Sequence, residues 1–205
     1  MTKISSLLAT ALVCGAAASL VSCDSGAPFV GIWKATAPSD LPTGPAARYH
    51  ATSVLTVSFA DAPNGEGGAV GIVSDFTVSR SAGNDSLGYE IDAIGTARVD
   101  GTWSYDIDDR DDLLLDLDYN TLKVDFPASG VSVSGPLAAR LTAAQLDSVR
   151  ADAASACSRE ISRAMTSELR RFSVVKDIEV SKDKNTLGFE IESPETDLRF
   201  RRVAE

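Results

Sequence analysis

Apolar and polar residues alternate along most of this chain from Phe29 onward, and that period of two restricts the fold more than any other feature. Leu55, Val57 and Phe59 share one parity, with Thr56 and Ser58 between them. Val70, Ile72, Phe76 and Val78 do the same against Gly71, Asp75, Thr77 and Ser79. Trp103, Tyr105 and Ile107 are interleaved with Thr102, Ser104 and Asp106. Leu113, Leu115 and Leu117 precede Leu122, Val124 and Phe126. Ile178 and Val180, then Leu187, Phe189 and Ile191, then Leu198 and Phe200 repeat the pattern near the C-terminus. Successive side chains of a strand point to opposite faces, so such runs predict strands with one dry and one wet face. About nine or ten of them predict an antiparallel sheet.

Turn chemistry separates the runs. Asn64-Gly65-Glu66-Gly67-Gly68, Gly83-Asn84-Asp85 and Asp183-Lys184-Asn185 read as loops or tight turns, and Ser193-Pro194-Glu195 breaks the last hairpin. Asp100-Gly101 is a two-residue hairpin signal, because that pair accepts positive φ. Tyr119-Asn120 is a second candidate.

One segment has a different period. Thr142-Ala143-Ala144-Gln145 has the form of a capping box. After it Leu146, Val149, Ala153, Ala156, Ile161, Ala164, Leu169 and Phe172 recur mostly every three to five residues. This predicts one long amphipathic helix over about 142–172, before the last three strands. The outer strand faces are polar, so the stripe is expected to cap an open end of the sheet or plug a gap between strands. A coiled coil with a partner is the alternative.

The N-terminus bears on location. Lys3 precedes an apolar run from Ile4 to Ala18, and small residues follow. That order reads as a secretory signal, too short to span a bilayer. The ending Leu20-Val21-Ser22-Cys23 resembles a bacterial lipoprotein signal. The resemblance implies cleavage after residue 22, acyl chains on Cys23 and anchoring in the bacterial cell envelope, at an outer-membrane, periplasmic or surface face. Residues 23–28 would be a lipidated Cys and short tether, and 29–205 a single domain of a size that supports a substantial core. Loss of Lys3 takes the net charge from −10 to −11. So acidic a chain, without a basic arm, argues against nucleic acid and anionic membrane surfaces as partners. Arg163, Arg170 and Arg171 share their helix with Asp152, Glu160 and Glu168 and read as a solvated face.

Phe29-Val30-Gly31-Ile32-Trp33 opens the first strand, and Gly101-Thr102-Trp103 repeats the Gly-x-Trp tripeptide. Gly-x-Trp at this place resembles the opening motif of lipocalin-like, or calycin, barrels, in which the Trp closes the narrow end. With acidic turns between strands it is similar to lipocalin-like lipoproteins of Bacteroidetes-type bacteria. The resemblance implies a meander closing into an eight- to ten-stranded barrel. It departs from the lipocalin pattern in its long helix, in the three strands after it, and in lacking an arginine assignable to the closed barrel end.

If the sheet closes, Trp33, Phe59, Phe76, Tyr89, Trp103 and Phe189 are the candidate ligand-lining residues. Their apolar character points to a hydrophobic small molecule. The expected function is therefore non-enzymatic binding, of such a molecule or of an envelope partner on the surface; a structural or interaction lipoprotein with a filled core and no small-molecule ligand is the alternative. Catalysis has no support. Glu90, Asp92, Glu190 and Glu192 fall on outer parities, no cofactor, phosphate-loop or metal pattern occurs, and His50 is the single histidine. Cys14 leaves with the signal, so Cys157 remains without a disulfide partner and reads as a small buried hydrophobe. The acidic run Asp106 to Asp112 reads as a hairpin turn, with a weak, loosely built calcium site as the minor alternative. A calcium loop needs a Gly at its sixth position and a Glu at its twelfth, where Asp111 and Leu117 stand.

Overall fold

The computed structural model describes residues 27–41, 49–63, 65–80, 89–192 and 194–204. The signal segment, Cys23 and the Gly83-Asn84-Asp85 turn lie outside them. The chain forms β1 (Gly31–Ala35), β2 (Ser39–Leu41), β3 (His50–Asp61), β4 (Gly67–Arg80), β5 (Glu90–Tyr105), β6 (Leu113–Asp125) and β7 (Val131–Ser134). Then come α1 (Ala143–Leu169), β8 (Val174–Val180), β9 (Thr186–Ile191) and β10 (Thr196–Arg202).

The ten strands belong to one antiparallel sheet. The pairing path runs β10-β9-β8-β6-β5-β4-β3, and β1 pairs with both β10 and β3. Eight strands therefore make a cyclic path, with β2 added beside β3 and β7 beside β5. The cycle is uneven. β4 pairs along its whole length with β5, whereas β6 and β8 meet through two pairs, Leu113↔Val175 and Leu114↔Val174. Helix α1 packs against β6, β7, β5 and β2.

The expected alternation appears as burial. In β5, Ile91, Ala93, Ala97, Val99 and Trp103 are buried while Glu90, Asp92, Thr96 and Arg98 are exposed. Asp100-Gly101 is not a hairpin: β5 runs straight through it, and Gly101 pairs with Leu117. Tyr119-Asn120 is not a turn between strands either. It belongs to a bulge in β6, where Arg98 faces Lys123 but Asp100 faces Asp118. Thr121 pins the bulge: its hydroxyl accepts the Asp100 N–H at 2.9 Å and donates to the Asp118 carbonyl at 2.7 Å. The bulge moves the inward parity of β6 from Leu113, Leu115 and Leu117 to Phe126. A turn-prone dipeptide supplies local propensity alone, and the continuous ladder to β4 overrides it here.

The helix begins as its sequence predicts. Thr142 is the N-cap, and the reciprocal bonds with Gln145 are both present. The α-helix stops at Leu169, and a 3-10 turn over Arg170–Ser173 leads into β8. Its buried line is Ala154, Cys157, Ile161, Met165 and Leu169, continued by Phe172. Leu146, Val149, Ala156 and Ala164, expected in the stripe, are half-buried at its margins. Among the described residues no helix is long and apolar enough to cross a membrane.

The two ends of the sheet differ. At the end where β1 starts, Phe29 meets Trp103 edge-on at 4.9 Å and Phe59 at 5.3 Å, and Trp103 meets Tyr105 at 5.4 Å. At the other end β3 begins, β4 stops and β5 begins, and α1 lies across them.

Candidate functional site

Five of the six candidate ligand-lining residues are packed into the core. Trp33, Phe59, Phe76, Trp103 and Phe189 are 0–4 % exposed. Trp33 donates its indole N–H to the Phe29 carbonyl at 2.6 Å, and Trp103 donates to the Ala60 carbonyl at 2.9 Å. Phe189 stacks on Phe200 at 4.9 Å, and Phe76 meets Phe126 at 6.3 Å. Tyr89 is different. It is half-buried just before β5 and faces a cleft of about 610 Å³ beneath α1.

That cleft is built where three strand ends converge. Ile91 and Ala153 give it an apolar floor, and Tyr49 and Tyr89 line it. Arg80, Arg159, Arg163 and Glu160 supply charge. Arg80 is 7 % exposed, with its guanidinium 5.6 Å from the centre of the Tyr49 ring, a cation–π distance. Behind this wall sits Cys157. Burial, then the Glu160 carboxylate, pushes its thiol up to about 11 against an opposing hydrogen bond with Tyr49. Cys157 is therefore a protonated, buried thiol at neutral pH.

The end where β1 starts carries an arrangement the sequence did not reveal. Arg202 lays its guanidinium 4.2 Å from the centre of the Trp33 ring. The same group donates to the Val30 carbonyl at 3.1 Å, the Pro28 carbonyl at 3.4 Å and the Lys184 carbonyl at 2.8 Å. Gly31 has φ +138, and a Cβ there would lie 2.5 Å from the Arg202 guanidinium. The positive φ favours glycine before Ile32-Trp33, and a Cβ there would push the Arg202 guanidinium from its place. Arg80 and Arg202 share a sequence signal that was available. Each takes the next inward position of an apolar series: Phe76, Val78, Arg80 and Leu198, Phe200, Arg202.

The remaining candidates are solvent-facing. His50 starts β3, with its side chain 66 % exposed and 3.6 Å from Asp40. Glu90, Asp92 and Glu192 are exposed, and Glu192 pairs with Lys176 at 2.6 Å. In the acidic hairpin the carboxylates serve the backbone: Asp106 accepts the Asp108 N–H and Asp109 accepts the Asp111 N–H, both at 3.0 Å. The hairpin also docks on β8. Asp112 accepts the Asp177 N–H at 3.1 Å, and the Asp111 carbonyl accepts the Ile178 N–H at 2.8 Å. Asp177 has φ 51 at the β8 bulge that presents these donors. Among the described residues no group of three or more His, Cys, Asp or Glu side chains is arranged to hold a metal ion.

Searches against protein-family models, curated proteins and solved structures return no match. The functional reading therefore rests on the geometry of this chain.

Proposed function

We propose that this chain is a lipid-anchored, lipocalin-like envelope lipoprotein that binds rather than catalyses, and that it binds in the cleft beneath α1. Export and anchoring rest on the Leu-Val-Ser-Cys ending at Cys23. The lipocalin-like reading draws support from the Gly31-Ile32-Trp33 opening, the cyclic pairing path and Arg202 over Trp33. In that reading Arg202 would play the part of the end-closing arginine.

One observation moves the binding site out of the interior. Five of the six aromatic residues that would line a barrel cavity are 0–4 % exposed, so they fill the space a ligand would need. The cleft, at about 610 Å³, falls in the usual range of about 300–1,000 Å³ for small-molecule sites. It combines an apolar floor with fixed polar groups, the mixture that orients a ligand.

Native mass spectrometry of the protein purified from its own membranes tests this reading. A co-purifying small molecule is expected, and it should be lost in Ala156→Trp, which fills the cleft from its half-buried margin. A bound molecule that persists in Ala156→Trp, with an unchanged melting temperature, would place binding elsewhere and overturn the cleft.

A further inference from the structure

We infer that the cleft beneath α1 takes an amphiphile, its anionic head group against Arg80, Arg159 and Arg163 and its apolar tail on Ile91, Val149 and Ala153. The inference deepens the cleft reading and rests on it.

The cleft changes character along its length. Helix α1 crosses the strand ends from β7, where Asp147 and Arg150 share a hollow with Val131, to Tyr49, whose side chain hydrogen-bonds Cys157. Along that crossing the lining residues Val149, Ala153 and Ala156 come before Arg159, Glu160 and Arg163. At about 1.5 Å per residue, Ala153 and Arg163 stand about 15 Å apart along the helix axis. The strand side turns in the same direction. β7 pairs with β5, β5 with β4 and β4 with β3. Ile91 lies on β5, and its register partner Arg80 lies on β4, toward Tyr49 and β3. Both walls are therefore apolar at the β7 side and basic at the Tyr49 side.

Charge selects the ligand. At the basic side three arginines face one acid, Glu160, and Asp152 stands exposed at the apolar side. One Glu160 oxygen is buried, and its charge acts on the Cys157 thiol. Among the described residues no ion pair joins Arg159 or Arg163 to either acid, and Arg159 donates instead to the Ser155 hydroxyl at 2.6 Å. Glu90 and Asp92 lie on the outer face of β5, away from the cleft. Arg80, 7 % exposed and stacked on Tyr49, holds its guanidinium in place before a ligand arrives. A guanidinium matches a carboxylate or a phosphate through paired N–H donors. The apolar side takes the tail, where each buried CH₂ strengthens binding about fourfold. A wholly apolar ligand would cover the exposed Arg159 and Arg163 without giving them an acceptor, and a cation would meet three like charges.

The test uses the full chain carrying Cys23→Ala, which has no acyl chain to compete with the probes. Calorimetry below the micelle threshold compares decanoate, decyl phosphate, decanol and decyltrimethylammonium. At least one of the two anions is expected to bind ten times or more tighter than decanol, and the ratio between the anions tells carboxylate from phosphate. The hexyl form of the tighter anion should bind at least tenfold more weakly. Arg159→Gln/Arg163→Gln, on exposed helix positions, should cost that anion at least tenfold and leave decanol within twofold, while Asp152→Asn should change anion binding less than threefold. Decanol or decyltrimethylammonium binding as tightly as the anions, with all of them lost in Ala156→Trp, overturns the anionic head and leaves the cleft reading standing. An anion whose binding survives Ala156→Trp overturns the cleft reading and this inference with it. An anion that binds the double arginine variant as it binds the parent overturns the head assignment alone. No binding by any probe overturns the inference, and native mass spectrometry then judges the cleft independently.

Discussion

The wall formed by β1 and β10 and the wall formed by β5 and β6 lie opposite each other in the pairing path, and they are held by different means. The first is tied by one cation. Arg202 stacks on Trp33 and donates to three backbone carbonyls, drawing the last strand, the first strand and the β8–β9 turn to one point. The second ends in a hairpin whose carboxylates mostly accept backbone N–H groups of the hairpin itself. A half-buried, stacked guanidinium can organise several chain segments at once. Exposed aspartates shape their own loop and contribute little to distant order.

The largest effect should come from breaking the Trp33–Arg202 contact. Trp33 is fully buried, and truncating a buried Trp typically costs 3–5 kcal/mol. Trp33→Ala should therefore remove a large part of the stability of a domain of this size, read as a urea midpoint shift. Arg202→Lys should recover only part of the parent stability, because an ammonium cannot stack flat and serve three carbonyls. If Arg202→Lys melts like the parent, the guanidinium geometry is not what ties this wall.

Much of the fold was legible because its signals are local. Parity gave the strands, and the Thr142–Gln145 capping box gave the helix start. The Asp100-Gly101 misreading marks the limit: the dipeptide favours a turn, but the ladder to β4 decides. The odd-to-even switch from Leu117 to Leu122 was the visible trace of the β6 bulge. Arg80 and Tyr49 meet α1 only through tertiary packing, so no local spacing announces the cleft.

Helix α1 offers a check on the end of the sheet that it covers, where Cys157 lies behind Tyr49 and Arg80. Cys157 has an ordinary thiol pKa of 9.0 in the reference state and about 11 when folded. Between those values the unfolded chain has lost the proton that the folded chain keeps. Stability is fully present below pH 9 and falls as pH rises toward 11, by on the order of 2–3 kcal/mol. Urea melts at pH 8 and pH 10.5 should show that loss, and Cys157→Ala should lack it. Native-state alkylation at pH 8 should be at least 100-fold slower than in urea. Fast alkylation of the native protein would mean that α1 lifts readily from the strand ends it covers, leaving that end looser than the Arg202-tied wall.

The smallest effect separates the docking of the acidic hairpin from its charge. Asp112 is the one carboxylate of this run whose bond reaches another strand among the described residues, through the Asp177 N–H at 3.1 Å. Losing a single partly exposed hydrogen bond costs about 1 kcal/mol. Asp112→Ala should lower stability by about that amount, whereas Asp108→Asn, exposed and clear of β8, should change it by less than about 0.5 kcal/mol. Amide exchange read at Asp177 and Ile178 should rise in Asp112→Ala alone. Equal costs for both variants would mean that mutual repulsion along Asp106–Asp112, rather than its bond to β8, sets the stability of this wall. The contrast with the cation-tied wall would then be one of charge sign instead of connectivity.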